Sequence, residues 1–79
     1  MRLSVYTIQS TLFEGEVKSV TLPTPMGEIT VLDNHLPMIT LVNSGDISYT
    51  DSRNENGSLP FPGGVLEVRP GSEVILLSG

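Results

Sequence analysis

Short stretches of alternating apolar and polar residues, most of them ended by glycine or proline, dominate this chain of 79 residues. Alternation of this kind is the period of a half-buried β-strand. Leu3 and Val5 show it near the start, and Leu66 with Val68 show it near the end. No window has the apolar spacing of an amphipathic helix. Strands punctuated by Gly or Pro turns every 8 to 12 residues, roughly, predict an all-β sandwich or barrel that forms one domain, residues 1–79.

Two stretches depart from strict alternation. The interval between Val17 and Val20 is odd, which predicts a bulge or bend between them. The run Met38–Val42 is apolar at four of its five positions and is followed at once by the turn residues 43–45. Such a run fits a strand buried on both faces or a single helical turn, and its shortness favours the strand.

The segment from residue 54 to residue 64 combines a hairpin signal with strand breakers. The Asn-Gly pair at residues 56–57 favours a primed turn, so the chain is expected to reverse there. Pro60 and Pro62 lack an N–H for a central ladder, so this strand should be an edge or begin late. Gly63 and Gly64 precede a strand rather than a helix, which favours a bulge or a close backbone approach over a phosphate cradle.

Residues 24–40 contain two turn signals around one short strand. Pro25 and Gly27 place Glu28 at the tip or exit of a tight turn. The polar triplet 33–35 comes directly after the strand, and Pro37 prevents an immediate helix. We therefore expect two exposed polar turns, one at each end of the strand.

Composition excludes several classes of function. The formal charge is −5, with nine acidic residues against four scattered basic ones, which argues against nucleic acid as a partner. Cysteine is absent, so disulfides and thiolate metal sites are excluded and a reducing compartment is favoured. The longest apolar runs are far shorter than the ~20 residues needed to cross a bilayer, so we expect the chain itself to be soluble.

Residues that carry chemistry are scarce. His35 is the single histidine and has no partner at metal-ligand spacing, so neither a metal site nor a Ser-His-Asp triad is expected. Glu14 with Glu16, and Glu28 with Asp33, are carboxylates of the kind that is usually solvated. A glycosidase pair would need a sugar cleft that a chain of this size does not build. We therefore expect no catalytic residue, no cofactor and no small-molecule substrate.

Five segments and a turn, taken in order, resemble the N-terminal β-sandwich of the epsilon subunit of F-type ATP synthase, called delta in mitochondrial naming. The match covers almost the whole chain, and its specificity lies in the order and spacing of the segments rather than in any one motif. The segments are residues 12–17, 20–24, 27–32, 35–37 and 63–68, with the turn 70–71.

The resemblance implies a small antiparallel β-sandwich of about eight to ten short strands. It implies a non-catalytic rotor subunit of the F1 sector that links the gamma subunit to the c-ring and couples ion flow to ATP synthesis. The family places Gly27 and Glu28 against the c-ring loops, and His35, Met38 and Thr40 toward gamma. Location would be peripheral, on the cytoplasmic face of the bacterial inner membrane or an equivalent coupling membrane, with membrane contact only through the c-ring.

The sequence departs from the family pattern at two places. Relatives continue into a regulatory two-helix hairpin, whereas this sequence stops at Gly79, so no C-terminal helical hairpin is expected here. Pro60 and Pro62 stand where relatives more often keep a regular strand. A free-standing β-sandwich adaptor or small binding module is the alternative, although Tyr6, Phe13, Tyr49 and Phe61 are too scattered to predict an aromatic binding face. A small enzyme would need a convergent set of titratable groups, which the sequence lacks.

Overall fold

Eight strands joined by short turns make up residues 1–78, which are the residues that the computed structural model describes. The all-β prediction is confirmed. Within residues 1–78 no helical segment has the length and apolar character of a membrane span. The strands are β1 (Arg2–Tyr6), β2 (Thr11–Thr24), β3 (Gly27–Leu32), β4 (Met38–Val42), β5 (Gly45–Asp51), β6 (Asn56–Phe61), β7 (Gly64–Arg69) and β8 (Glu73–Leu77).

The long strand β2 belongs to both layers of the sandwich. Its first part pairs with β1 and closes a first sheet of order β4-β7-β8-β1-β2. Its second part lies between β3 and β5 in a second sheet of order β3-β2-β5-β6. The register of β2 with β5 shifts between Val17 and Ser19, which confirms the bulge predicted there. All neighbouring strands are antiparallel except β1 and β8, which run parallel.

The core lies between the two sheets and is built from the inward half of each alternating strand. Both sheets contribute aliphatic side chains that are fully buried, and Phe61 is the largest of the buried side chains. Phe13 and Tyr49 pack beside this core with ring centroids 4.6 Å apart. The fully buried aliphatic side chains are Leu3, Val5, Val20, Leu22, Val31, Ile47, Leu66, Val74 and Leu76.

Gly64 lies where two backbones approach each other closely, as the Gly-Gly pair predicted. A Cβ built on Gly64 would overlap the carbonyl oxygen of Leu77 on β8. Gly63 has φ +96°, a left-handed conformation that favours glycine. The pair therefore starts β7 without a bulge and lets it lie tightly against β8.

The reversal between β5 and β6 occurs at residues 52–55, so the prediction of a turn at residues 56–57 was wrong. Asp51 Oδ1 accepts hydrogen bonds from the backbone N–H groups of Arg53 and Glu55, at 2.8 and 3.0 Å. Asn54 adopts the left-handed φ of 65°. Since this Asp-centred turn closes the hairpin earlier, the Asn-Gly pair lies within β6, where the ring of Tyr49 covers Gly57.

The burial of one of the strands at the ends of the sheets differs from what the sequence predicted. β6 is terminal and contains Pro60, which confirms the edge assignment. β4 is terminal too, and the prediction that both of its faces are buried was wrong. Ile39 and Leu41 are 71% and 62% exposed on the outer face, because nothing among residues 1–78 covers that side of the first sheet.

Replacing Gly64 by alanine is expected to destabilise the fold by about 3 kcal/mol, since the new methyl group meets backbone rather than a movable side chain. Gly71→Ala is the matched control. Gly71 also has a positive φ, but a Cβ there meets no atom within 4 Å, so only backbone strain of about 1 kcal/mol is expected. Urea unfolding of both variants measures the difference. Equal losses would show that the contact with Leu77 is relaxed easily.

Candidate functional site

The turn between β2 and β3, which we call the Met26 turn (residues 24–28), is held by one buried hydroxyl. Thr24 Oγ1 donates a hydrogen bond to the carbonyl oxygen of Gly27 at 2.6 Å and accepts one from the N–H of Met26 at 3.2 Å. Gly27 has φ +112°, which a residue with a side chain rarely adopts. The threonine thus fixes the turn from beneath and leaves its tip free for contact.

The tip of the Met26 turn presents an apolar side chain beside a carboxylate. Met26 is 93% exposed, the largest exposure among the large hydrophobic side chains of residues 1–78. Glu28 is also exposed and forms no salt bridge within residues 1–78. Sequence reasoning selected Gly27 and Glu28 and missed Met26. The position of Met26 between Pro25 and Gly27 was the available signal, because the centre of so tight a turn is rarely buried.

The turn between β3 and β4, the His35 turn (residues 33–37), is exposed as predicted. The N–H of His35 donates to the carbonyl oxygen of Leu32 at 3.2 Å, and His35 Nδ1 lies 2.7 Å from the carbonyl oxygen of Leu36. That second contact requires the proton on Nδ1. Asp33 Oδ1 accepts a hydrogen bond from the Met1 ammonium group at 2.6 Å, which ties the turn to the start of β1.

The three residues predicted to face gamma are not equally available for contact. His35 is exposed, but Met38 and Thr40 are half-buried and share the inward parity of buried Val42. The exposed side chains of β4 are the alternate ones, Ile39 and Leu41. Sequence reasoning missed them because a continuous apolar run gives no alternation from which to assign the two faces.

β3 separates the two turns. Gly27 pairs with Thr24 at one end of the strand, whereas Leu32 pairs with Ser19 at the other. Six residues of strand at about 3.3 Å per residue hold the turns on the order of 16 Å or more apart. The structure brings Gly27 and Glu28 together in one place and His35 near β4 in another, so the predicted residues lie in two separate places rather than in one site.

The outer face of the first sheet combines an apolar patch with six charged side chains, which are Arg2, Glu14, Glu16, Glu67, Arg69 and Glu73. Its charged side chains are joined in ion pairs, with Arg69 lying 3.1 Å from Glu67 and 3.6 Å from Glu73. The hydrogen bond and the charge of Glu67, with a further contribution from Glu73, raise the pKa of the Arg69 guanidinium above its ordinary value. The apolar side chains of this face are Tyr6, Leu12, Ile39, Leu41, Val65, Ile75 and Leu77.

The outer face of the second sheet carries hydroxyl and amide groups instead. They line a shallow depression of about 290 Å³, with Thr21 Oγ1 hydrogen-bonded to Thr30 Oγ1 at 2.9 Å and Thr50 Oγ1 to Asn56 Oδ1 at 3.0 Å. No charged side chain lines it, so it offers neither an acid nor a base for chemistry. The lining residues are Ser19, Thr21, Ser48, Tyr49, Thr50 and Asn56.

Groups that could assemble a metal or catalytic centre are dispersed. Within residues 1–78 no three His, Asp or Glu side chains converge as metal ligands. Every buried side-chain nitrogen or oxygen in the same residues has a hydrogen-bond partner, so none is left aimed at an absent ligand.

The comparisons with known proteins agree on one family. The model of the family described as "ATP synthase, Delta/Epsilon chain, beta-sandwich domain" matches residues 1–78. Proteins named ATP synthase epsilon chain from Bordetella petrii and Bordetella avium are each 32% identical over 76 residues, which is 96% of this chain and 54% of theirs. The chain thus spans about half the length of the curated relatives it matches.

Two solved structures share the fold. A chain of the mitochondrial ATP synthase of Euglena gracilis, solved as OSCP/F1/c-ring, matches with a TM-score of 0.89 at 19% identity, covering 96% of this chain and 48% of that one. A chain of the Tetrahymena thermophila mitochondrial ATP synthase, central stalk and c-ring, matches with a TM-score of 0.77 at 14% identity, covering 98% and 61%. At these identities the likeness concerns the fold.

Replacing Thr24 by valine is expected to loosen the Met26 turn, because the shape is kept while two hydrogen bonds are lost. We expect a stability loss of about 1 to 2 kcal/mol and faster amide exchange at Met26. Thr11→Val is the matched control, since the exposed Thr11 hydroxyl has no hydrogen-bond partner within residues 1–78, and its loss should change stability by less than about 0.5 kcal/mol. NMR hydrogen exchange of both variants measures this. Unchanged exchange at Met26 would show that the hydroxyl does not hold the turn.

Proposed function

Because the chain belongs to the family of the ATP synthase delta/epsilon chain beta-sandwich domain, we propose that it is a non-catalytic rotor part of an F-type ATP synthase. In this role it links the gamma subunit to the c-ring and couples ion flow to ATP synthesis. It lies peripherally on the cytoplasmic face of the bacterial inner membrane, or on an equivalent coupling membrane, and touches the membrane only through the c-ring. The family match over residues 1–78 carries the proposal, and it disfavours a free-standing adaptor.

The Met26 turn is the proposed contact with the c-ring. Gly27 and Glu28 lie at its tip, and its fixed shape means that little conformational entropy is lost on binding. Met26 adds an apolar side chain that a shallow depression between polar loops would cover. Glu28, which is unpaired within residues 1–78, supplies a charge at the rim of that contact, where charges affect association more than total affinity.

The His35 turn and β4 form the proposed contact with gamma. His35 supplies a polar group, while Met38 and Thr40 lie on the strand that follows. The exposed side chains of that strand, Ile39 and Leu41, are the ones that bury apolar surface in such a contact. This arrangement places an apolar patch next to a polar rim, the usual anatomy of a protein interface.

The two turns suit a linker because they lie at opposite ends of β3, although β4 runs back toward the Met26 turn, where Asn43 bonds to Pro23. A subunit that joins two partners needs two separate surfaces on one rigid body. The shared strand β2 supplies the rigidity, since its backbone ladders connect both sheets.

Reversing the charge at the Met26 turn tests the c-ring contact. Glu28→Lys, reconstituted with the remaining subunits of the enzyme, is expected to reduce ATP-driven ion pumping several-fold, because a rim charge is inverted. Glu55→Lys is the matched control, since Glu55 is exposed on the distant β5–β6 turn. Wild-type pumping and assembly by both variants would remove Glu28 from the contact.

Residues 1–79 are expected neither to bind ATP nor to inhibit ATP hydrolysis. Arg2 and Arg69 are already paired with carboxylates, and Lys18 donates to Asn54 at 2.6 Å, so among residues 1–78 no cluster of free cations is left to hold a triphosphate. Calorimetric titration with ATP measures the first point. Hydrolysis by the F1 sector with and without saturating chain measures the second. Saturable binding, or a strong block of hydrolysis, would contradict the expectation.

A further inference from the structure

β4 ends the first sheet with unpaired backbone groups on its outer side. Within residues 1–78 its only strand partner is β7, and Val42 lies opposite Gly64 in that ladder. The N–H of Asn43, by contrast, donates to the carbonyl oxygen of Pro23 at 2.9 Å, away from β7. Backbone groups alternate sides along a strand, so those of Ile39 and Leu41 point the same way as Asn43. Within residues 1–78 neither residue has a backbone partner there, and Leu41 O receives only a long contact of 3.5 Å from Thr40 Oγ1.

Along Ile39–Leu41 this edge lacks the features that usually protect a terminal strand, whereas just beyond the strand the carbonyl group of Pro23 covers the backbone of Asn43. Met38–Val42 contains no charged residue and no proline, and its register with β7 has no shift. The other terminal strands are protected, since β6 contains Pro60 and β3 carries Glu28 beside its first residue. An uncharged edge with exposed Ile39 and Leu41 is therefore a template for another strand.

We propose that β4 pairs antiparallel with β4 of a second copy of this chain, about a two-fold axis at Thr40. Such a pairing places Ile39 opposite Leu41 of the second copy, and the reverse. Both residues direct their N–H and C=O groups outward, so the two pairs form four hydrogen bonds between the copies. The side chains of the pairs meet on the apolar outer face, where cross-strand aliphatic contacts stabilise a sheet.

The dimer joins two five-stranded sheets into one and brings the two apolar faces into register. Leu41 lies in a row with Val65 and Leu77, and this row continues into Ile39 of the second copy. The nearest charge is Glu67, which is one strand inward and already bonded to Arg69. No like charges therefore face each other at the seam. Electrostatic repulsion opposes the pairing, because each copy has a net charge of −5, and salt screens this repulsion.

The same edge contains Met38 and Thr40, so a chain held in this dimer cannot also present them to gamma. The pairing of the two copies requires only the backbone geometry of β4 and does not depend on the proposed function. An extended segment of a different protein is the competing occupant of the edge.

Sedimentation equilibrium of the 79-residue chain tests the pairing. We expect a reversible dimer at tens of micromolar, with association that strengthens as salt rises from low to physiological concentration. A chain that remains monomeric at the highest soluble concentration overturns the proposal. If that monomer still binds gamma, and Leu41→Lys weakens the binding, the edge belongs to the other protein.

Two variants separate edge pairing from general stickiness of the apolar face. Ile39→Pro removes one outward N–H and leaves the ladder with β7 intact, so it should raise the dimer dissociation constant at least tenfold. Leu41→Lys, at an exposed side chain, should do the same and covers the case in which the proline variant fails to fold. Leu77→Lys is the control, because Leu77 lies on the same face in the interior strand β8. Equal weakening by Leu77→Lys and Leu41→Lys overturns edge pairing.

A cysteine introduced at the two-fold axis tests the register of the pairing between the two copies. Thr40 would lie opposite itself as a non-hydrogen-bonded pair with Cα atoms about 4.5 Å apart, within the range of a disulfide. The chain has no cysteine of its own, so Thr40→Cys gives an unambiguous reading. We expect rapid formation of a disulfide-linked dimer on mild oxidation, whereas Thr21→Cys, on the second sheet, should not cross-link. Equal cross-linking of both variants overturns the register.

Discussion

The fold depends on one strand that hydrogen-bonds in two layers. β2 runs for 14 residues, pairs first with β1 and then with both β3 and β5, and changes layer at the bulge between Val17 and Ser19. Because continuous backbone joins the sheets, their relative position does not rest on side-chain packing alone. A domain this small buries only about 60% of its potential surface, so a covalent link between the layers offsets a limited core. The positions of both exposed turns follow from this frame.

Much of the architecture could be read from the sequence because alternation and turn residues report local backbone preference. The odd interval from Val17 to Val20 located the bulge, and Pro60 identified an edge strand. The hairpin at Asp51 is a place where prediction from local sequence fails. The Asn-Gly pair had the stronger turn propensity, but the side chain of Asp51 supplied hydrogen bonds to a turn that begins earlier. Competition between two local signals is decided by the register of the whole sheet.

The candidate contact regions, too, could be predicted only in part from the sequence. The exposure of Glu28 and His35 followed from turn chemistry alone. The faces of β4 did not, because which of two alternate sets points inward is fixed by the neighbouring strand β7. For the same reason the contrast between an apolar outer face on the first sheet and a hydroxyl face on the second emerged only from the strand pairing. The polar face resembles solvated surface, whereas the apolar face has the character of an interface.

β3 has a mechanical meaning that its hydrogen-bond pattern does not convey. A strand is close to the full length its residues can span, so it has almost no slack to give up under tension. The backbone between Gly27 and Leu32 is therefore almost inextensible, unlike a connection made through deformable packing contacts. Its compliance is low along that axis and much larger across it, where a single neighbouring strand gives support. A force applied to one turn along the strand is therefore transmitted to the other turn with little extension of β3. A force applied across the strand bends the edge of the sheet instead.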